Sequence, residues 1–327
     1  MQWLHQLPRH WQTTSVITCL LWPIELLYQL AWFVRRTLFT LGLIRTHKLP
    51  ATVIVVGNVV AGGGGKTPLT MAIVQRLTHQ GHKVGVVSRG YGRSEDQILL
   101  VNAQSTADQV GDEPLLIFQK CQVPVAVGAN RVAVAQQLMR EHPHIGFIVC
   151  DDGLQHASLQ RDIEICVMDS MGIGNGHLLP AGPLREPWPR TVDLLLHTQR
   201  RTLAEGFEST RQLSELAING LGHSVELKAL QHQAVEVVCG IAKPQAFAQM
   251  LTDRGIPIAH FHALPDHANF SNWQATQPLL TLLCTEKDAI KLWTTHPEAF
   301  AVPLQFEPEW AFWQAFDALV NARHRYH

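Results

Sequence analysis

VIVVGNVVAGGGGKTPLT, residues Val53–Thr70, joins a β-branched apolar run to four glycines and a Gly-Lys-Thr ending. A buried strand, a tight turn and the start of a helix are the natural reading of that order. It is also the context in which a phosphate-binding loop works. Glycines let successive backbone N–H groups turn toward an anion without Cβ interference. The helix starting near Thr67 adds its positive end. Lys66 can then bridge the outer phosphates of a nucleotide and Thr67 can offer its hydroxyl to Mg²⁺. The strict pattern G-x-x-x-x-G-K-[ST] needs glycine at position 60, where this chain has Val60. Gly57 is the expected chain-turning residue of a slightly longer loop, with Val60, Ala61, Gly62, Gly63, Gly64, Gly65, Lys66 and Thr67 around the nucleotide. The competing reading is a strand–helix turn with no ligand.

Working outward, HKVGVVSRGYG, QVPVAVGANR, HIGFIVCDDG and DIEICVMDS read as further strands, with helical spacing in TPLTMAIVQRLTHQG and RVAVAQQLMRE between them. Strands alternating with helices imply an α/β fold with a doubly wound parallel sheet, which binds ligands at the carboxyl ends of its strands. GIGNGHLLPAGPLREPWPR is a long Gly/Pro loop, and AVEVVCGIAKPQAFAQMLTDRG restarts a strand–loop–helix unit. The expected division is a helical segment over 1–48, a phosphate-loop core over 49–219 and a smaller α/β domain over 220–327. Asp151 and Asp152 follow the apolar run FIVC. Two adjacent strand-end carboxylates beside a phosphate loop point to a magnesium site, because their repulsion is relieved by a cation. An isolated turn or N-cap aspartate is the alternative.

Composition sets limits. The 327 residues are 46% hydrophobic and 16% charged with net charge −1, too neutral for a nucleic-acid surface. Six scattered cysteines without a C-x-x-C suggest neither a zinc site nor a disulfide framework, and a reducing compartment suits them. The segment SVITCLLWPIELLYQLAWFV, residues 15–34, is nearly all apolar and is followed by Arg35, Arg36, Arg45 and Lys48. Pro23, Glu25 and Gln29 interrupt it, and Trp22, Tyr28 and Trp32 suit a headgroup boundary. We read it as a helix lying in the membrane interface. A helix buried against the protein's own core and a true span are the alternatives.

GNVVAGGGGKTP, SRGYGR, GDEP, DDGLQH, GNGHLLPAGPLREP, LPDHANF and TEKDAIK occur in that order between residues 57 and 291. Together they closely resemble the tetraacyldisaccharide 4'-kinase family, the lipid A 4'-kinases of Gram-negative bacteria, over nearly the whole chain. The family's own loop also lacks the first glycine of the strict pattern. Gly64 stands where a serine or threonine is usual, and GIAKP, residues 240–244, where GIGNP is common.

The resemblance implies a P-loop kinase of the inner membrane, facing the cytoplasm. It would transfer the γ-phosphate of Mg-ATP to the 4'-hydroxyl of an acylated glucosamine disaccharide 1-phosphate. It further implies Asp112 as the catalytic carboxylate, His267 as its partner and Glu113 as a magnesium-shell residue. Asp151, Asp152 and Gln155 would be metal and water ligands, and Lys287 and Asp288 nucleotide contacts from the second domain. Arg89 and Arg185 would line the substrate cleft, Arg185 gripping the 1-phosphate. Taken alone, Asp112 reads as a helix cap, His267 as a loop histidine, and the two arginines as partners of structural carboxylates. A nucleotide switch or partitioning-type ATPase acting on a protein partner is the rival function. The signature lysine of that class would fall at Ala61.

Overall fold

The computed structural model describes residues 10–62, 64–93, 97–199, 201–203 and 205–324. The β-branched run forms β1 (Thr52–Gly57), buried at all six positions. An apolar run without alternation requires cover on both faces, as at the centre of a parallel sheet. β1 pairs in parallel with β5 (Phe147–Asp151) on one side and β6 (Ile163–Met168) on the other. Beyond β5 lie β2 (Val84–Ser88) and β4 (Val125–Val127). Beyond β6 lie β7 (Leu194–His197) and the first residues of β8 (Phe207–Leu213). Every one of these pairs is parallel, and the order β8-β7-β6-β1-β5-β2-β4 is that of an open doubly wound sheet. Helices α2 (Lys66–His79), α5 (Arg131–Glu141) and α8 (Trp310–His324) belong to the same unit. Arg76 of α2 pairs with Asp317 of α8 and lies 4.8 Å over the Trp313 ring.

The N-terminal segment forms α1 (Val16–Thr40), opened by a capping box between Ser15 and Thr18 and running through Pro23. Its apolar side chains point outward: Val16, Leu20, Trp22, Leu27, Leu30 and Phe33 are exposed. The two buried residues of the helix are Thr18 and Glu25. This inverts the usual amphipathic pattern, in which the apolar stripe faces the core.

The second unit holds β3 (Leu99–Leu100), α3 (Ala107–Val110) and α4 (Asp112–Cys121). It also holds a six-stranded sheet ordered β10-β9-β14-β13-β11-β12. Four strands of that sheet are parallel: β14 (Phe300–Val302), β13 (Thr281–Thr285), β11 (Val235–Cys239) and β12 (Ile258–Ala263). β9 (Leu216–Asn219) and β10 (Ser224–Glu226) add an antiparallel edge. Alternation along β11 sends Val235, Val237 and Cys239 into one core and Val238 into another, with α6 (Pro244–Asp253) and α7 (Glu286–Leu292) supplying residues to them. β15 (Leu304–Pro308) leads the chain back to the first unit.

The compact units interleave in sequence. One comprises the chain up to Arg89, Val123–Ser209 and Pro308 onward; the other comprises Gly90–Gln122 and Thr210–Glu307. The boundaries at 48 and 219 expected from sequence are sequential, because composition shifts along a chain do not reveal a segment that folds back onto an earlier sheet. Residues 90–122, which carry Asp112, and the C-terminal helix both lie across those boundaries.

Candidate active site

β1 delivers the chain into the glycine turn at the C-terminal edge of the first sheet. The turning residues are Gly62 (φ 76°) and Gly65 (φ 110°), not Gly57. Gly57 is glycine because a Cβ there would come within 2.7 Å of the Leu154 side chain. Two expected loop residues are committed elsewhere. Val60 is fully buried and bridges Leu184, and the Ala61 N–H donates to the Pro183 carbonyl at 2.7 Å. The usable cradle therefore runs from Gly62 to Thr67; within it, Gly63 lies outside the described residues. Lys66 opens α2, and its ammonium reaches the Gly62 carbonyl (3.3 Å), the Asn58 side-chain oxygen (3.4 Å) and Asp152 (3.6 Å). Asn58 also donates to the Gly62 carbonyl at 2.7 Å, so it braces the turn from beneath.

Asp151 ends β5 directly beside Val56 of β1 and is buried. The Thr70 hydroxyl donates to it at 2.9 Å, tying the second turn of α2 to the strand end. Thr67 stands on the same face one turn earlier. Asp152 adopts a left-handed backbone (φ 51°), which turns its carboxylate back toward the loop. Arg185 donates to both oxygens of Asp152, at 3.0 and 3.2 Å. Burial opposes ionisation of Asp152, but Lys66 and Arg185 together hold its pKa below the usual carboxylate value. Gln155 joins this group through its side-chain oxygen, 3.5 Å from Arg185, while its amide donates to Glu186 and to the Asn58 carbonyl. Glu186, Arg190, Glu164 and Arg161 continue the network. Arg161 donates to the Leu154 and His156 carbonyls and so fixes the turn that carries Asp152.

In the second unit Gly111 (φ 93°) caps α4, and a Cβ there would press on the Gly90 backbone at 3.0 Å. Asp112 is the first residue of α4 and is 4% exposed, yet its carboxylate does not cap the helix. One oxygen lies 2.8 Å from His267 Nδ1 and the other 2.8 Å from Lys291 Nζ. His267 is also left-handed (φ 61°), its N–H donating to the Gly240 carbonyl and its ring lying against Tyr91. Left-handed backbone in a non-glycine residue costs of order 1–3 kcal/mol and persists where surroundings enforce it. Burial works against the charged form of Asp112; the hydrogen bonds from His267 and Lys291 prevail and lower its pKa. Lys287 lies 3.3 Å from Asp266, 3.4 Å from His267 Nε2 and 3.6 Å from Glu113. Desolvation lowers the pKa of Lys287, but Glu113, Asp266 and Asp112 reverse the sign and raise it.

Two expected residues make none of these contacts. Asp288 is 3% exposed, with its oxygens taken by the Gly240 N–H and the Thr285 hydroxyl, and burial pushes its pKa up to about 6. That is an internal brace, not a surface ready for a nucleotide. Arg89 is exposed just after β2.

The profile of a family described as tetraacyldisaccharide-1-P 4'-kinase matches residues 17–323. The chain belongs to that family. A tetraacyldisaccharide 4'-kinase of Acidovorax ebreus is 47% identical over 311 residues, covering 94% of this chain and 92% of that protein. Its counterpart from Polaromonas naphthalenivorans is 47% identical over 320 residues, covering 95% and 93%. The crystal structure of LpxK from Aquifex aeolicus in complex with ATP superposes with a TM-score of 0.82 at 28% identity, covering 94% of this chain and all of that one. Membership makes the chain a kinase that uses ATP, and the nucleotide-switch alternative is not favoured.

The donor chemistry beside the loop suits a hard divalent cation such as Mg²⁺. The Thr67 hydroxyl and the carboxylates of Asp151 and Asp152 are hard oxygen donors beside the loop. Among the described residues no three His, Cys, Asp or Glu side chains converge on one point. Sequence reasoning missed Asn58, Glu186, Arg190, Lys291 and Tyr91. Two of these lie inside quoted motifs next to named residues, and the terminal lysine of TEKDAIK falls one helical turn after Lys287.

Proposed function

We propose that this chain transfers the γ-phosphate of ATP to the 4'-hydroxyl of a tetraacylated glucosamine disaccharide 1-phosphate, the kinase step of lipid A assembly. The observation that carries the reading is the 2.8 Å bond between Asp112 and His267, residues 155 positions apart, with His267 held there in a left-handed backbone conformation. Asp112 accepts the proton of the sugar hydroxyl as its oxygen attacks the γ-phosphorus and the bond to the β-phosphate oxygen breaks, releasing ADP. His267 orients the carboxylate and stabilises the charge on it. Gly62–Gly65 and Lys66 would hold the phosphates, and Thr67, Asp151 and Asp152, with Glu113, would hold Mg²⁺, which when bound would supply neutralisation of the charge on the phosphates. Arg185 takes the substrate's 1-phosphate, with Arg89 nearby in the substrate path.

The exposed apolar side of α1 lies in the interface of the inner membrane, on the cytoplasmic side where ATP is supplied. A substrate with four acyl chains, each methylene worth about 0.8 kcal/mol when buried, stays in the bilayer, so the enzyme must reach it there. The test is a purified-protein assay with labelled ATP and the lipid disaccharide. Label must appear in the lipid, and ATP consumption must depend on it. Hydrolysis that ignores the lipid would overturn the proposal.

A further inference from the structure

The inner edge of α1 is polar, and its hydrogen bonds end on the two loops that grip Asp152. The Tyr28 hydroxyl donates to the Arg185 carbonyl at 2.7 Å, and Arg35 donates to the Gln155 carbonyl at 3.2 Å. One turn earlier, Glu25 is 2% exposed and accepts from the Leu178 N–H at 2.8 Å while lying 2.9 Å from His177 Nδ1. Glu25 therefore fixes the start of the Gly/Pro loop and Tyr28 fixes its catalytic end. A helix serving only as an anchor would gain nothing from burying a glutamate, because that burial is costly unless each oxygen finds a partner.

We infer that Tyr28 is a positioning residue for the kinase reaction, holding the backbone of Arg185 so that its guanidinium meets Asp152. The inference rests on the proposed role of Arg185. The membrane-facing helix and the Asp152 grip then form one mechanical unit, and loosening the helix's inner edge slows turnover without weakening its hold on the lipid surface.

The experiment uses the full-length protein and the variants Tyr28→Phe, Arg185→Ala and the double variant, assayed on lipid disaccharide in detergent micelles. Tyr28→Phe keeps the ring and removes only the hydroxyl. Its kcat should fall about tenfold, as the loss of one hydrogen bond allows. The KM for ATP, the melting temperature and sedimentation with anionic vesicles should stay unchanged. Added to Arg185→Ala, the same change should cost less than about twofold more, because the two act through one contact. Losses that multiply, or a Tyr28→Phe effect confined to vesicle binding or melting temperature, would overturn the inference. A fully active Arg185→Ala would instead remove the proposed role of Arg185 on which it stands.

Discussion

Asp152 in the first unit and Asp112 in the second are the same arrangement with different partners. Each is a partly or wholly buried carboxylate held by two nitrogen groups, and each has its pKa lowered against the pull of desolvation. Each also depends on a left-handed residue, Asp152 itself in one case and His267 in the other. The partners of Asp152 are an ammonium and a guanidinium, Lys66 and Arg185. One partner of Asp112 is the His267 imidazole, whose two ring nitrogens can act as donor or acceptor. A pair of cationic side chains suits a site that must grip phosphates and a metal. An imidazole against the carboxylate suits a site that must receive a proton and pass it on. The lesson is that charge arrangement, beyond residue type, separates the proposed holding half of the reaction from the proposed chemical half.

Breaking the holding half should cost most. Lys66→Ala removes a cation from both Asp152 and the phosphates, and kcat should fall by at least about a thousandfold with the melting temperature little changed. A variant within tenfold of normal would end the contrast. Asp112→Asn keeps the shape and removes the base, and a loss of about a hundredfold to a thousandfold is expected, read from single-turnover rates. His267→Ala leaves the base but removes its orienting partner, so about tenfold to a hundredfold suffices. A larger loss than that of Asp112→Asn would make the imidazole, not the carboxylate, the proton acceptor.

The smallest expected effect sharpens the electrostatics. Because the folded-state pKa of Asp112 is depressed, its contribution to stability is present above the unfolded value of about 3.9 and vanishes as pH falls through the folded value. Lys291→Met moves that pKa back up. The gap in melting temperature between wild type and variant should be widest near neutrality and close as the pH drops below about 4. A gap independent of pH would mean that Lys291 contributes packing alone.

Much of this was legible in the chain. The β-branched run and glycines of 53–70 announced β1, the turn and α2, because local propensity and the buried environment agree there. Asp151 and Asp152 were legible as a strand end. The role of Gly57 was misread, since close approach to Leu154 is a long-range contact that no local pattern encodes. The contacts of Val60 and Ala61 with Leu184 and Pro183 were hidden for the same reason, as those partners lie over 120 positions away. On α1 the sequence displayed the apolar surface, while Glu25 and Tyr28 looked like interruptions until His177, Leu178 and Arg185 were brought to them.

By itself the sequence determined the strand and helix order, the phosphate loop and the family, because these follow from periodicity, glycine placement and ordered motifs. Tertiary structure alone decided that Asp112 also meets Lys291, that Asp288 turns inward and that α1 presents its polar edge to the protein. Those outcomes depend on which distant groups can satisfy a buried charge, and a one-dimensional pattern does not carry that information.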